Sequence, residues 1–382
     1  MGSNGNGHSK KNRSLVVLQL SGGNDFLNTI VPYTNGHYYD LRPNVSIQPD
    51  KVLQINDEIG FSPHMGPVRD LWDEGKVAIL QGIGYPNPNR SHFRSMDIWH
   101  TALPEKVGND GWLGRAIREI DPDSENVLTG VNFGRGLPRA LSAEGVAVAS
   151  VGNLETYGLF PDMKDEMLKA YALEAFTKMY GGSEGKDAVA KFLGQTGTDA
   201  LKGADILRAA PEKYSSTIEY ADSPIADSMK SIAQVMFADI GTRVFYTQHG
   251  SFDTHAGEVD AHAKLWDDVS AALGDFSDDI KEHGREEDTM VLVFTEFGRR
   301  IKDNGTGTDH GSGGVAFVIG GGVNGGLYGD YPSLAPEDQV EGDLNFSNDF
   351  RGTYSTIVEQ WLGLDPVSII NGSFDQMGFV KN

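Results

Sequence analysis

The chain has 382 residues, of which 32 are Lys or Arg and 54 are Asp or Glu, so its formal net charge is −22. This acidic excess argues against nucleic acid or an anionic membrane surface as a partner, because both are bound through clustered Lys and Arg. The chain contains no Cys, which excludes disulfides, thiolate metal sites and cysteine nucleophiles, and its 39% hydrophobic content suffices for a large core.

Residues 1–13 are polar and glycine-rich, and they predict a disordered leader or a vector-derived remnant. Residues 14–382 are expected to form a single domain. The sequence has no apolar run of the roughly 20 residues that a membrane-spanning helix needs. We therefore expect no membrane span.

Short, unbroken runs of β-forming residues recur along the chain and end in polar or glycine-rich loops. These runs are Leu15–Leu20, Val77–Leu80, Val244–Thr247, Met290–Phe294 and Val315–Ile319. Such runs suit strands that are buried on both faces of a sheet, and helical stretches separate several of them. The pattern predicts an α/β fold, an α/β/α sandwich with a mostly parallel central sheet.

Helical periodicity is clearest between Asp260 and His283, where apolar side chains recur every three or four residues and Gly284 ends the pattern. Residues 164–238 carry few strand signals. They contain two further helical patterns, Asp165–Met179 and Ser223–Phe237. We interpret 164–238 as a helical insertion or cap on the sheet.

Polar residues collect in the loops that follow these strands or precede the last one. They are four carboxylates, three histidines and a serine: Asp25, Asp253, Glu296, Asp309, His92, His255, His310 and Ser91. Loops beyond the carboxyl ends of parallel strands meet at one edge of a sheet and form its ligand sites. A divalent cation such as Zn²⁺ or Mn²⁺ takes imidazole and carboxylate ligands and lowers the pKa of bound water or of a hydroxyl. The pattern predicts a metal-hydrolase site.

Simpler interpretations exist for the single elements. Asp25 fits an N-cap, His255 a local pair with Asp253, and Glu296 a surface ion pair with the arginines that follow it. The chain lacks a phosphate-binding P-loop, and the segment around Ser312 lacks the first Gly of a nucleophile elbow. A triad of Ser91 with a His and an Asp stays open.

Motifs in the same order from residue 14 to about 365 resemble a bacterial family, domain of unknown function 1501. This family is part of the alkaline phosphatase and sulfatase-like superfamily. The segments that carry the resemblance are Leu15–Asp25, Arg90–Phe93, Gly111–Arg115, Phe252–His255, Thr295–Arg300, Thr308–Gly311 and Asp349–Arg351.

The resemblance implies an alkaline phosphatase-like sandwich that holds one or two divalent ions, Zn, Mn or Ca. The implied ligands are Asp25, Asp253, His255, Glu296 and His310. Ser91 or a metal-bound water would attack the ester, His92 or His249 would act as general acid, and Arg299 or Arg351 would grip an anionic substrate group. It also implies a small-molecule or glycan ester substrate and a periplasmic or extracellular location. The oligomeric state is not predicted.

Three departures from the superfamily pattern bear on activity. Asp253 and His255 are two residues apart instead of four, Glu296-Phe297 replaces the usual Asp-His, and Ser91 lacks the flanking sulfatase motif. Since Phe cannot ligate a cation, a second metal site is in doubt. The main hypothesis is a metal-dependent hydrolase of phosphate or sulfate esters. The alternatives are a non-catalytic protein that binds an anionic glycan or a protein partner, and a metal-free serine hydrolase.

Overall fold

The structure, a computed structural model, describes residues 13–157, 165–181 and 203–381. Apart from Arg13, the predicted leader lies outside the described residues. Residues 164 and 182–202 of the predicted helical insertion lie outside them as well.

The strands pair mainly into one large sheet. In chain order they are β1 (Ser14–Leu20), β2 (Ile30–Val31), β3 (Leu53–Gln54), β4 (Gly60–Phe61), β5 (Val77–Gly84), β6 (Gly130–Phe133), β7 (Ala149–Val151), β8 (Val244–His249), β9 (Thr289–Thr295), β10 (Arg299–Asp303), β11 (Thr308–His310), β12 (Gly314–Ile319), β13 (Gly326–Tyr328) and β14 (Asn348–Asp349). The strand order of the large sheet is β13-β5-β12-β9-β1-β8-β6-β7, and β14 also pairs with β5. β10 pairs with β11, and β2, β4 and β3 form a separate small sheet.

The large sheet is mostly parallel, as predicted, with one reversed strand. β1 runs parallel to its neighbours β8 and β9, whereas β12 lies antiparallel between β9 and β5. The start of β12 therefore lies at the carboxyl ends of the others, with Gly314 opposite Ile83 and Ile319 opposite Val77. Because of this reversal, the loop before β12 reaches the same edge as the loops after β1, β5, β8 and β9.

The helices cover both faces of this sheet. Their bounds are Phe26–Thr29, Gly36–Leu41, Gly66–Asp73, His92–Thr101, Trp112–Ile120, Glu166–Gly181, Pro224–Phe237, Glu258–Glu282, Phe350–Thr356 and Pro366–Ile370, with a π-helical segment at Ile357–Leu362 and 3₁₀ turns at Pro49–Lys51, Arg139–Leu141, Pro211–Lys213, Glu286–Asp288 and Pro336–Asp338. The three helical patterns read from the sequence thus correspond to Glu166–Gly181, Pro224–Phe237 and Glu258–Glu282. None of the described helices has the length and apolar character to cross a membrane.

The core has two layers that meet at β1. All seven residues of β1 are buried. Val16 and Leu18 pack into one cluster with the helices Pro224–Phe237 and Glu258–Glu282. Leu15 and Val17 point the other way, into a cluster with the helices Trp112–Ile120 and Phe350–Thr356. Since alternate side chains of a strand face opposite sides, the unbroken apolar run reflects burial on both faces, and the predicted α/β/α sandwich is confirmed.

Candidate metal centre

Four side chains meet at the carboxyl edge of the sheet, and three separate segments of the chain carry them. His92 begins the helix that follows β5, Asp253 and His255 lie in the loop after β8, and His310 ends β11 just before β12. One ligand atom from each of His92, Asp253 and His310 lies within 4.8 Å of the others. The convergence of these loops was predicted from the sequence, and the reversal of β12 is what brings His310 to the edge.

The three imidazoles converge on the carboxylate of Asp253 through the same ring atom. The Nε2 atom of His310 lies 2.9 Å from Asp253 Oδ1, and that of His255 lies 3.1 Å from it. The Nε2 atom of His92 lies 3.4 Å from Oδ2. The Nε2 atoms of His255 and His310 are 3.0 Å apart. Asp253 is therefore the centre of the group.

The other ring nitrogen of each histidine faces an oxygen acceptor. His92 Nδ1 is 2.8 Å from Glu296 Oε1, His255 Nδ1 is 2.9 Å from Asp309 Oδ1, and His310 Nδ1 is 2.8 Å from the Arg90 carbonyl oxygen. With an ion among the Nε2 atoms, the proton of each ring would lie on Nδ1 and be donated to that oxygen. Nε2 is then left with a lone pair. Metal-binding histidines are held in this way by partners outside the ligand set.

The donor set fits a divalent cation. Three lone pairs and a carboxylate facing one another repel unless a cation or an extra proton lies among them. The Nε2 atom of His92 is also buried without a hydrogen-bond partner. A buried polar atom with no partner costs about 1–3 kcal/mol, and a coordinated ion would remove that cost.

Arg299 holds Asp253 in place and does not reach a substrate. Its guanidinium is fully buried and donates to Asp253 Oδ1 at 2.9 Å and to the Gly22 carbonyl at 3.1 Å. It also donates to the Thr308 hydroxyl and carbonyl. Partial burial alone would raise the pKa of Asp253, but the hydrogen bond and the positive charge of Arg299 lower it to about 2. The position of Arg299 gives no support to the sequence-based role as a grip on substrate, because the group has no access to solvent.

Glu296 lies behind His92 instead of among the ligand atoms. Its side chain is buried, and Oε1 accepts from His92 Nδ1 and, at 2.9 Å, from the Gly22 amide. Oε2 accepts from the Thr295 hydroxyl at 3.1 Å. The hydrogen bond to Glu296 is the main reason why the pKa of His92 is raised above 6.5. Glu296 thus lies where it orients the imidazole of His92.

Phe297 packs against two of the imidazoles. Its ring centroid is 5.0 Å from that of His92 and 4.9 Å from that of His310. Gly23 lies against the same ring with φ +83°, and a Cβ there would come within 2.4 Å of it. The phenyl ring therefore fills the space beneath the group, and a glycine is required beside it.

Asp25 is separated from the group by its pairing with Arg42. Both side chains are fully buried, and the two guanidinium-to-carboxylate contacts measure 2.5 and 2.9 Å. Burial on its own would raise the pKa of Asp25, but Arg42 lowers it to about 2. Because Arg42 occupies both carboxylate oxygens, the predicted ligand role of Asp25 finds no support in its position.

Asp25 and Arg42 form a second buried cluster together with Glu258 and His262. Sequence reasoning did not single out Glu258 or His262.

Ser91 is the N-cap of the helix His92–Thr101, and its side chain makes no capping hydrogen bond. The residue is exposed, and its backbone amide donates to Asn89 Oδ1 at 2.8 Å. Ser91 is therefore an exposed residue that directly precedes His92 in the chain. Of the two other predicted candidates, His249 lies at the end of β8, and Arg351 is held by a bidentate pair with Asp349.

The chain was compared with known proteins. A family model described as "Protein of unknown function (DUF1501)" matches residues 12–354. None of the curated proteins matches the sequence. Similar solved structures include the C-terminal periplasmic domain of EcEptC from Escherichia coli in complex with Zn (7% identity, 82% of this chain and 74% of that chain covered, TM-score 0.39). They also include a protein in the alkaline phosphatase superfamily from Vibrio parahaemolyticus (11%, 97% and 75%, TM-score 0.38). A third is Ps i-CgsB in complex with k-i-k-neocarrahexaose (12%, 94% and 75%, TM-score 0.38). At these identities and TM-scores, the likeness carries no inference about activity.

Proposed function

The chain belongs to the DUF1501 family, as its motifs predict, and for this member we propose a metal-dependent hydrolase of phosphate or sulfate esters. The observation that carries the proposal is the set of three imidazoles around Asp253. Each has Nδ1 bonded to an oxygen acceptor and Nε2 turned towards the same carboxylate.

We assign one ion to His92, Asp253 and His310. Three protein ligands leave a coordination position open, which is typical of catalytic and not of structural zinc sites. A set rich in imidazole favours Zn²⁺ over Ca²⁺, which takes oxygen ligands, and over Mn²⁺, which prefers more carboxylate. A bound divalent ion supplies Lewis acidity and lowers the pKa of a nearby hydroxyl or water. In this assignment His92 is a ligand and not the general acid inferred from the sequence.

Ser91 is the proposed nucleophile. Its hydroxyl makes no capping hydrogen bond, and the residue directly precedes the proposed ligand His92 in the chain. The first amides of the helix His92–Thr101 lack partners within the helix, so they favour the negative charge that builds up on a transferred phosphoryl or sulfuryl group. These amides and Ser91 would act on the same group.

His255 is the proposed carrier of the leaving-group proton. It is the most exposed of the three imidazoles, with a side-chain exposure of 45%. Asp309 fixes its orientation through Nδ1, and the same hydrogen bond lowers the pKa of Asp309. An imidazole oriented by a carboxylate can give or take a proton at Nε2. This role replaces the ligand role inferred for His255 from the sequence.

The substrate class, a small-molecule or glycan ester, and a periplasmic or extracellular location are parts of the proposal that rest on the family resemblance alone.

The test of the proposed function is ester turnover by metal-replete protein. p-Nitrophenyl phosphate, bis(p-nitrophenyl) phosphate and p-nitrophenyl sulfate would be assayed with and without chelator. We expect turnover that the chelator removes and that Ser91→Ala reduces by at least about 100-fold. His64→Ala is the matched control, because His64 is exposed and pairs with Asp267 away from the group. Absence of turnover across the panel would reject the hydrolase.

A second candidate is a binding protein that uses the same cleft without hydrolysis. The observation in its favour is that Arg299 and Asp25, two groups that would serve a catalytic centre, are both internal and paired. It predicts that an anionic glycan or a protein partner binds while every ester in the panel stays intact.

A further inference from the structure

Thr308 lies between the second buried cluster and the metal group, the name we give to the three imidazoles and the carboxylate of Asp253. Thr308 is fully buried and is the first residue of β11, the strand that His310 ends. Its hydroxyl oxygen lies 3.3 Å from Arg299 Nε and 2.6 Å from Glu258 Oε2. One hydroxyl therefore touches both the arginine that holds Asp253 and a carboxyl of the second cluster.

The two hydrogen bonds of this hydroxyl have a fixed direction. A guanidinium can only donate, so the Thr308 oxygen accepts from Arg299 Nε. The single hydroxyl proton is then available for Glu258, whose Oε2 accepts it. The position thus requires a side chain that accepts on one side and donates on the other. Val has nearly the same shape as Thr but can do neither, and it would leave two buried polar groups without a partner.

The main chain of Thr308 contacts the same surroundings. Its carbonyl accepts from Arg299 Nη2, and its amide donates at 3.2 Å to the carbonyl of Thr254, the residue after Asp253. Thr308 is therefore bonded twice to Arg299 and once to the loop that carries Asp253.

Arg299 is the group through which Thr308 reaches Asp253. The guanidinium is fully buried, with Nε and Nη2 facing Thr308 and Nη1 donating to Asp253 Oδ1 at 2.9 Å. Because a guanidinium is planar and rigid, fixing two of its nitrogens fixes the direction of the third. The hydroxyl of Thr308 therefore bears on where Asp253 Oδ1 is held.

We propose that Thr308 is a positioning residue for the ion: its hydroxyl, held by Glu258, fixes Arg299 and through it the carboxylate of Asp253. The inference rests on the proposed function for an ion bound at Asp253, but not for hydrolysis. Partners directly behind a ligand typically contribute about 10- to 100-fold in metal affinity, and Thr308 acts one residue further away. We therefore expect its hydroxyl to contribute about tenfold.

Zinc affinity tests the inference without relying on turnover. It would be measured at pH 8 by competition with a chromophoric chelator, on variants confirmed as folded by circular dichroism. Thr308→Val removes the hydroxyl at nearly constant volume and should weaken zinc binding by about tenfold. Thr308→Ser keeps the hydroxyl and should bind within about threefold of wild type. A purely structural role would lower the free energy of unfolding of Thr308→Val and leave the zinc affinity of the folded protein unchanged.

Thr247→Val is the matched control. Thr247 is also a fully buried strand residue, and its hydroxyl donates at 3.0 Å to the Phe133 carbonyl instead of to a residue of either cluster. This variant loses a buried hydroxyl of the same kind, so it should bind zinc as wild type does.

Glu258→Met breaks the same contact from the other side, because it removes the acceptor of the Thr308 proton. It should weaken zinc binding by a similar factor, and the double variant should bind no more weakly than the weaker single variant. The inference is rejected if Thr308→Val or Glu258→Met binds zinc as wild type does, if Thr308→Ser is as weak as Thr308→Val, if the control loses as much, or if wild type binds no zinc. Failure of the hydrolase would look different, because esters would then resist turnover while zinc affinity still depended on Thr308.

Discussion

Replacing Glu258 by Gln probes the buried cluster beside the metal group. Glu258 is fully buried at the start of its helix, where the Thr308 hydroxyl donates to Oε2 at 2.6 Å and Asn28 Nδ2 lies 3.4 Å from Oε1. Burial and then the neighbouring charge of Asp25 raise its pKa from 4.5 to about 8. In the folded protein the raised pKa favours the protonated form of Glu258 at neutral pH, whereas Arg42 favours the ionised form of Asp25.

The raised pKa makes stability depend on pH with a definite sign. The contribution of protonated Glu258 is fully present below its unfolded value of 4.5 and is lost as pH rises through about 8. Taken alone, the shift corresponds to about 5 kcal/mol at 1.36 kcal/mol per pKa unit. Because Asp25 and Glu258 titrate as a pair, we expect a loss on the order of 2–4 kcal/mol between pH 5 and pH 9. The stabilisation from Asp25 is complete above pH 5 and does not offset it.

The assay is chemical denaturation followed by circular dichroism at pH 5, 7 and 9. Gln has nearly the shape of a protonated Glu, so Glu258→Gln should match wild type at pH 5. At pH 9 it should be more stable by about 2–4 kcal/mol, because no carboxylate must be buried. Glu337→Gln, at an exposed site, is the control. If the variant and wild type lose stability in parallel with rising pH, the reasoning about this buried pair is refuted.

Three further predictions concern the metal group. Zinc affinity should fall as pH is lowered through the raised pKa of His92, because a protonated imidazole cannot bind an ion. In a zinc titration, Glu296→Gln should weaken binding at pH 8 by about 10- to 100-fold and move the pH at which half of the affinity is lost to a lower value. Gly23→Ala should destabilise the protein by about 2 kcal/mol or more, whereas Gly257→Ala, also at positive φ but with open space around it, should cost only about 1 kcal/mol in thermal unfolding. His255→Ala should keep the ion and lower ester turnover by about 100-fold or more, and loss of the ion would instead make His255 a ligand.

The fold was predictable from the sequence because the strand pattern is set by burial. Runs such as Leu15–Leu20 are apolar at every position, and only a central strand covered on both faces accommodates that. The edge that carries the polar residues followed from the same pattern. The reversed direction of β12 was not predicted, because an apolar run does not encode its orientation.

The position of these polar residues at one edge of the sheet was predictable, whereas their pairings were not. His92, Asp253 and His310 were named from their positions at strand ends, and the structure brings them together. Asp25 occupies the same kind of position, but Arg42, seventeen residues further on, takes both of its oxygens. Glu296 also follows a strand, but its carboxylate accepts from His92 Nδ1 and from the Gly22 amide and does not face the group. Pairings of this kind depend on tertiary packing, which residue type and spacing do not specify.

The most direct measurement for the central claim is the metal content of purified protein by inductively coupled plasma mass spectrometry. Wild type, His310→Ala and the control His64→Ala would be prepared in excess zinc, desalted without chelator and compared. We expect one zinc ion per chain in wild type and in the control, and loss of the ion in His310→Ala. A wild type without metal, or a His310→Ala variant that retains a full equivalent, would contradict the assignment of the ion to this site.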